Sequence, residues 1–354
     1  MICCIVCILA VPPMVQAADH ANEKRWCRSR KICDRIALYK EQWGDIRMTK
    51  RLIDCSAREL AAYNKEQKLE AIAGSEGRVM AAETIGTVTP MLVNITNAEF
   101  VASLGADLIM LNIFDVDHPV IGGLPEVDPA DAIREVKRLT GRMVAINLEP
   151  AAISEDIEKD PVWSLTEGRR ATVENAKKAA DMGVDMIILT GNPGIGVSNH
   201  AIVHALNELK AAVGDRVILT AGKMHAAGVI SEGGENILTE NDVDAFIDAG
   251  ADILLLPAPG TVPGITMEYA HKLIARAHAE GALAMTTIGT SQEGADEATI
   301  REIALMCKMA GADIHHIGDS GYMGMAIPDN ITAYSIAIRG KRHTYRRMAM
   351  SLLR

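Results

Sequence analysis

Short apolar runs alternate with longer amphipathic stretches through most of this chain. The longer stretches have a helical period, and the short runs are typical of strands that are covered on both faces. The pattern predicts eight strands, at 91–95, 108–114, 143–148, 186–190, 217–221, 253–256, 283–288 and 314–317. It predicts helices after them, at 98–104, 129–139, 166–182, 201–213, 241–249, 267–280, 297–310 and from 330 onward. Strands joined by helical crossovers form a parallel sheet.

A repeated Gly-Ala/Val-Asp phrase marks the start of every second predicted strand. It occupies residues 105–107, 183–185, 250–252 and 311–313. Its glycine suits the left-handed end of a helix. The interior of a barrel is filled in layers drawn from alternate strands, so odd and even strands meet different packing demands. Eight units with this alternation favour a (β/α)8 TIM barrel over a doubly wound sheet.

Two segments precede the predicted barrel of residues 91–354. Residues 48–90 are predicted as a helical prelude that plugs the floor of the barrel, beginning with a capping-box pattern at Ser56 and Glu59. Residues 1–47 contain five of the seven cysteines and an apolar run that resembles a signal peptide without its basic start. We expect residues 1–47 to be an appendage, either signal-like or absent from the natural protein, with Met48 as the natural start.

Composition narrows the class of protein. Apolar residues make up 49% of the chain and aromatic residues 3%, and the formal charge of −10 argues against a nucleic-acid partner. Only Cys55 and Cys307 lie in the body, which is typical of a reduced, cytoplasmic protein. The apolar run near the start is too short to predict a membrane span. We expect no membrane partner, and assembly into a homo-oligomer stays open.

Polar residues follow the predicted strands, where TIM barrels place their chemistry. Lys223 and Glu149 are the leading acid/base pair, because a lysine at a barrel mouth can be a point charge or can have its pKa lowered by burial. The amides predicted to contact a substrate are Asn94, Asn112 and Asn192. Each of these residues has an alternative interpretation without a catalytic role, because strand ends border solvent and are polar for that reason alone.

Asp115 and Glu149 follow neighbouring predicted strands and are the candidates for a metal site. Two carboxylates at one rim suit Mg²⁺, which prefers oxygen ligands. No dedicated metal motif is present, so Mg²⁺ is a cofactor candidate only, and no organic cofactor is evident.

Two glycine-rich turns are candidates for phosphate binding, because barrels bind phosphate with the loops after strands seven and eight. Gly289 and Thr290 follow strand seven, and the turn after strand eight contains Gly318, Asp319, Ser320 and Gly321. A third turn, at 191–199, is predicted to hold a second anion or to act as a lid. Each has the alternative of an ordinary tight turn.

The segment 100–111, Phe-Val-Ala-Ser-Leu-Gly-Ala-Asp-Leu-Ile-Met-Leu, resembles the first crossover of phosphoenolpyruvate mutase and isocitrate lyase-type barrels. The resemblance implies a lyase or isomerase acting on a small phosphorylated or carboxylated metabolite. That family's acidic Mg²⁺ pattern after strand three is replaced by Asn-Leu-Glu-Pro at 147–150. The body is also similar to a little-characterised bacterial TIM-barrel family.

Two alternatives remain. The segment 113–117, Ile-Phe-Asp-Val-Asp, resembles the signature of haloacid dehalogenase-like phosphohydrolases, which would make Asp115 a nucleophile and Lys223 that family's lysine. His118 and Pro119 depart from the residues usual after that signature. The other alternative is a non-catalytic barrel that binds a metabolite.

Overall fold

A computed structural model describes residues 49–151, 165–191, 197–226 and 229–354, apart from the side chain of Glu232. Eight parallel strands close into a barrel in which each strand pairs with its neighbours in chain order and β1 pairs with β8. The strands are β1 (Val79–Ile85), β2 (Leu108–Asn112), β3 (Met143–Leu148), β4 (Met186–Leu189), β5 (Ile218–Gly222), β6 (Ile253–Pro257), β7 (Leu283–Ile288) and β8 (Ile314–Ile317). The predicted (β/α)8 TIM barrel is confirmed.

Helices connect the strands and surround them. They are α1 (Ala57–Ala62), α2 (Lys65–Ala73), α3 (Asn97–Ser103), α4 (Ala132–Thr140), α5 (Val173–Met182), α6 (Asn199–Val213), α7 (Glu240–Asp248), α8 (Met267–Ala279), α9 (Glu297–Ala310) and α10 (Pro328–Met348). Within the described residues, no helix has both the length and the apolar character that crossing a membrane requires. The predicted appendage at 1–47 lies outside these residues.

The first strand was predicted in the wrong place. Residues 91–95 form turns, where Val93 is 73% exposed and has a positive φ of 63°. The strand that closes the barrel is β1, which pairs with β2 from Ala81 onward and with β8 from Val79 onward. Within the described residues, α1 and α2 are the α-helices that precede the barrel, and the predicted prelude of 48–90 contains its first strand.

The repeated aspartates link neighbouring strands. Each stands just before an even-numbered strand, and its carboxylate accepts a hydrogen bond from a backbone N–H at or near the start of the preceding odd-numbered strand. We call these four the strand-linking aspartates: Asp107 bonds Met80 N at 2.9 Å, Asp185 bonds Val144 N at 2.9 Å, Asp252 bonds Leu219 N at 2.8 Å and Asp313 bonds Ala284 N at 2.9 Å. The repeat is thus a structural device at the amino-terminal face of the barrel.

Apolar side chains fill the lumen from that same face. Met110, Ile188 and Leu255 contribute to a buried lumen cluster, and Leu52 and Ile72 from the segment before β1 pack beneath it. A second buried cluster lies between the strands and the surrounding helices. Because the lumen is packed with apolar groups from below, the polar groups of the strands are concentrated at their carboxyl ends.

Candidate active site

A cleft of about 340 Å³ opens at the carboxyl ends of the strands. Seven of the eight strands, or the residues just after them, contribute to its wall, and β6 does not. Its polar and charged lining residues are Glu83, Asn112, Asn147, Glu149, Arg169, Thr190, His225, Glu293, Asp319 and Ser320. Four of these are carboxylic acids, so the cleft concentrates negative charge at the rim where TIM barrels place their chemistry.

A hydrogen-bonded network joins residues from β1, β2, β3 and the end of β8. The Asn112 amide donates to Asp319 Oδ2 at 2.8 Å. The Asn147 amide donates to Asn112 Oδ1 and to Glu83 Oε1, both at 3.1 Å. The network fixes two carboxyl groups, Glu83 and Asp319, on one side of the cleft.

Asp319 is the acid in the cleft whose protonation is most altered by its surroundings. Its residue is 8% exposed. Burial, together with the negative charge of Glu83, raises the pKa of Asp319 to about 7, against the opposing effect of the Asn112 hydrogen bond. A carboxyl group with this pKa exchanges protons at neutral pH.

Glu149 and Arg169 form an ion pair across the cleft wall. Arg169 Nη2 lies 2.5 Å from Glu149 Oε1, and the Glu149 amide donates to the Arg169 carbonyl at 2.8 Å. Burial raises the pKa of Glu149, although Arg169 opposes this effect. The sequence prediction placed Glu149 in the cleft correctly but did not anticipate its cationic partner.

In the turn after β8, a backbone N–H that was predicted to bind phosphate donates to a protein carboxylate instead. The Ser320 amide donates to Glu293 Oε1 at 3.2 Å, and Glu293 is fully buried. A Cβ at Gly318 would lie 3.0 Å from that same oxygen and 2.6 Å from the Ile288 carbonyl. The glycine therefore permits a close approach of a carboxylate, and an amide expected to bind phosphate already has an acceptor.

The other residues predicted to bind phosphate have packing contacts. Gly289 lines the cleft, and a Cβ there would lie 2.7 Å from Met224 Sδ. The Thr290 hydroxyl donates to the Thr261 carbonyl at 2.7 Å. Gly321 packs against the backbone of residues 326 and 327. Phosphate binding at this rim stays a prediction.

Lys223 does not line the cleft, although it directly follows β5. Its residue is 1% exposed, whereas the next two residues, Met224 and His225, contribute to the cleft wall. Burial lowers the pKa of His225. The catalytic role predicted for Lys223 is therefore not supported by direct access to the cleft.

Asp115 is not among the described residues that line the cleft. Its Oδ1 accepts from the amides of Asp117 at 2.8 Å and His118 at 3.0 Å. Burial acts to raise the pKa of Asp115, but bonds from the Thr166 hydroxyl and these amides outweigh it and lower the pKa. This turn and the closed barrel give no support to the haloacid dehalogenase-like hypothesis.

Asn94 and Asn192 complete the predicted set. Asn94 is exposed in the turns that replace the predicted first strand. Asn192 lies outside the described residues. Of the three predicted amides, Asn112 alone is placed in the cleft by the described structure.

Of the predicted metal pair, Glu149 lines the cleft and Asp115 is not among its described lining residues. Among the described residues, no group of three or more His, Cys, Asp or Glu side chains could hold a metal ion. The Mg²⁺ prediction stays untested.

The two adjacent histidines of β8 point in opposite directions, as strand alternation predicts. His315 packs on Tyr334 with ring centroids 5.7 Å apart, and burial lowers its pKa to about 3. His316 is buried with Nε2 3.3 Å from Glu83 Oε2, beneath the polar network. His315 is thus an ordinary packed histidine, and His316 lies next to Glu83.

Glu83, Arg169 and Glu293 line the cleft without having been predicted as site residues from the sequence. Glu83 belongs to β1, and the misplaced first strand hid it. Arg169 and Glu293 lie in short 3-10 turns after strands three and seven, where no periodicity indicates a direction. Glu83 could have been found, because it is a lone acid in the apolar run 79–85.

Fold and cleft define a (β/α)8 barrel with an acidic pocket at its carboxyl-terminal mouth. The chain belongs to a family described as a domain of unknown function, DUF7916, whose model matches residues 53–354. None of the curated proteins is significantly similar to it.

Several solved structures are similar to this chain at low sequence identity. Thiamine phosphate pyrophosphorylase from Pyrococcus furiosus is 11% identical, with a TM-score of 0.42 over 74% of this chain and 96% of that one. 2,3-Dimethylmalate lyase, a member of the phosphoenolpyruvate mutase/isocitrate lyase superfamily, is 13% identical, with a TM-score of 0.44 over 74% and 82%. The BexX/CysO complex of Amycolatopsis orientalis is 14% identical, with a TM-score of 0.45 over 74% and 88%.

Proposed function

We propose that this protein is an acid–base enzyme of the lyase or isomerase type, acting on a small carboxylated metabolite at the carboxyl-terminal cleft. The observation on which this rests is the hydrogen-bonded convergence of Glu83, Asn112, Asn147 and Asp319 on one cleft wall. Asp319 is the proposed general base. A carboxyl group with a pKa near neutrality is matched to proton transfer at that pH.

The proposed step removes a proton from a carbon next to a carboxyl or carbonyl group. The proton moves to Asp319, the electron pair of the broken C–H bond forms a C=C bond, and the π pair of the C=O bond moves onto its oxygen, which gives an enolate. Arg169 lies in the same cleft and supplies positive charge for that oxygen. Return of the proton to a different carbon gives an isomerase, and loss of a leaving group with the electron pair gives a lyase.

Charge in the cleft favours a carboxylated substrate over a phosphorylated one. Arg169 is the only Lys or Arg among the described lining residues, against four carboxylic acids. A doubly charged phosphate group would be repelled by these acids, whereas a singly charged carboxylate can be paired by one guanidinium.

The residues predicted as the acid/base pair take other roles in this proposal. Glu149 orients Arg169 through their ion pair. Lys223, buried directly after β5, acts as a positioning residue. The cleft acids would be the ligands of Mg²⁺ if it binds, and the proposed step does not require the ion.

The test is exchange of a substrate proton with solvent. A set of small carboxylic acids is incubated in D₂O with the protein, and loss of the α-proton signal is followed by NMR. Any acid that exchanges is expected to lose at least about 100-fold of its exchange rate in Asp319→Asn, because general base catalysis contributes about 10² to 10⁴. The exposed Asp215→Asn is the matched control and should exchange at the wild-type rate.

Other outcomes select the alternatives. Full exchange in Asp319→Asn together with loss in Lys223→Met would restore Lys223 as the base. Saturable binding of a metabolite without exchange or turnover would favour the non-catalytic barrel.

A further inference from the structure

A second and larger cavity, of about 640 Å³, lies at the opposite face of the barrel. We call it the floor cavity. Its wall includes Arg142 at the start of β3 and Asp185 at the start of β4, whereas Asn147 and Thr190 at the other ends of these strands line the cleft. Six of its lining residues are cations and Asp185 is the single acid. The cations are Arg58, Arg134, Lys137, Arg138, Arg142 and Arg354.

Half of these cations are already neutralised by carboxylates. Arg134 pairs with Asp131 at 2.7 Å and Arg138 pairs with Glu135 at 2.6 Å. Asp185 is shared by Lys137 at 2.8 Å and Lys68 at 2.7 Å, so it has no negative charge to spare. In the described part of the chain, Arg58, Arg142 and Arg354 have no carboxylate within ion-pair distance.

Arg142 belongs to a buried cluster with excess positive charge. It is 5% exposed and donates to the carbonyls of Ala106 at 2.7 Å and Arg347 at 2.8 Å. Next to it, the buried Asp107 pairs with Arg339 and with Arg347. Three buried guanidinium groups therefore share one carboxylate. Burial and the charge of Arg347 lower the pKa of Arg142 to about 9.

Excess positive charge is costly to bury, and an anion in the adjoining cavity would offset it. We propose that the floor cavity binds a small phosphate-bearing anion. Its volume lies within the range of small-molecule sites. Five of its six cations are arginines, whose planar fork matches phosphate geometry.

The remaining wall suits the organic part of such a ligand. Leu60 from α1 and Leu352 provide apolar surface in the same cavity. Leu352 can reach the cavity because residue 141 is a glycine. A Cβ at Gly141 would lie 2.8 Å from Leu352 Cδ2, which is too close. A ligand with an anionic group toward Arg142 and an apolar body toward Leu60 would fill the site.

The shape and the overall charge select a small ligand over a nucleic acid. The cations surround a concave cavity rather than an extended stripe, and the formal charge of the chain is −10. The phosphate backbone of a nucleic acid would also contact the negatively charged surface outside the cavity and be repelled by it. A small anion would contact the cavity alone.

The test is calorimetric titration of the whole chain with inorganic pyrophosphate at 0.15 M salt. Wild type is expected to bind saturably at one site. Arg58→Gln is expected to weaken binding about tenfold, because it removes one charge-assisted contact. Arg58 is exposed and makes no hydrogen bond in the described residues, so this variant should fold. Arg142→Lys should weaken binding more.

Two variants locate the site. The exposed Arg301→Gln, on α9 and away from the cavity, is the matched control and should bind as wild type does. Asp319→Asn alters only the cleft, so it should leave pyrophosphate binding unchanged whether or not the proposed function holds. No saturable binding by wild type, or equal weakening in Arg58→Gln and Arg301→Gln, would overturn the proposal. Loss of binding in Asp319→Asn would place the anion in the cleft instead.

Discussion

Asp319 shows how one residue is set for proton transfer by its surroundings. The barrel wall excludes water from its carboxyl group, and Glu83 adds a like charge nearby. Both effects favour the neutral form, and both also cost folding free energy when the group ionises. Function and stability are therefore linked at this position.

That link predicts how stability depends on pH. The pKa of Asp319 is about 7 in the folded protein and about 3.9 for an unfolded aspartate. The folded state holds the proton more tightly, so the stabilisation is complete below about pH 4 and is lost as pH rises to 7. Asp319→Asn keeps the shape of the neutral carboxyl group without its ionisation, so the unfolding free energy of this variant relative to wild type should rise by about 4 kcal/mol between pH 4 and 8.

Urea unfolding at several pH values measures this difference. Asp215→Asn, an exposed acid-to-amide change, should run parallel to wild type across the range. A constant difference between Asp319→Asn and wild type from pH 4 to 8 would show that Asp319 ionises normally.

Sequence alone located part of the site for a clear reason. Asn112, Asn147, Glu149 and Asp319 end apolar runs, and the carboxyl ends of parallel strands meet at one rim. Glu293 and Arg169 lie in short turns, and no sequence pattern there indicates that their side chains line the cleft. Lys223 also follows a strand, yet it is buried and is not among the described lining residues, so a place at a strand end does not by itself give a side chain access to the cleft.

At the scale of elements, the strand-linking aspartates explain why one phrase recurs four times. Each aspartate satisfies a backbone N–H at the start of one strand while its own backbone continues into the next. Lysine and arginine side chains pair with three of them: Arg339 and Arg347 with Asp107, Lys68 and Lys137 with Asp185, and Lys65 with Asp252. The pairing of odd with even strands is thereby fixed at the amino-terminal face.

Asp313 offers a clean test of this role. In Asp313→Ala the Ala284 N–H loses its acceptor, so we expect a loss of about 1 to 3 kcal/mol in unfolding free energy. Asp313→Asn keeps an acceptor oxygen and should cost clearly less. Urea midpoints of the two variants measure the difference. Equal losses would mean that the charge, and not the hydrogen bond to β7, is what matters.

Substitution of Gly222 tests whether the short distance between β5 and β6 at this position requires a glycine. A Cβ there would lie 1.8 Å from the Leu255 carbonyl oxygen, so one strand would have to move. We expect Gly222→Ala to cost more than about 3 kcal/mol, since overpacking adds to backbone strain. Gly281→Ala is the control: its φ is also positive, at 84°, but nothing lies within 4 Å of the added atom. The control should cost about 1 kcal/mol, and similar melting temperatures for both variants would contradict the steric account.

The position of β1 shows where local pattern fails. Residues 91–95 are apolar enough for a strand, while the true strand contains Glu83 and follows Gly77 and Arg78. Pairing with β2 and β8 decides between the two segments, and such long-range pairing is not encoded in either segment alone. The other seven strands were located because each stands between two helices of clear period.

At the scale of the whole molecule, α10 ties the end of the chain to the start of the barrel. Arg339 and Arg347 from this helix reach the buried Asp107 before β2. Asp107 also bonds the Met80 amide of β1. One carboxylate thus joins the first two strands to the last helix.

Removing that charge should destabilise the entire barrel. Asp107→Asn leaves three buried guanidinium groups without a carboxylate, and we expect a loss of about 3 to 5 kcal/mol in unfolding free energy. Asp215→Asn should stay within about 0.5 kcal/mol of wild type. Chemical denaturation followed by far-UV circular dichroism measures both. A loss below 1 kcal/mol in Asp107→Asn would indicate that the cluster is compensated by other groups.

The two faces of the barrel have opposite electrostatic character. Four carboxylic acids line the cleft at the carboxyl ends, and six cations line the floor cavity at the amino ends. The closed ring of strands separates them, so the two proposed sites can be tested with different variants and different ligands.

The most direct measurement of the account is the titration of Asp319 itself. Carbon-13 NMR of aspartate-labelled protein follows each carboxyl carbon with pH, and the signal absent from Asp319→Asn identifies the residue. We predict a midpoint near pH 7 for that signal. A midpoint below pH 5 would mean that the carboxyl group is ionised at neutral pH and would contradict its proposed place at the centre of acid–base chemistry.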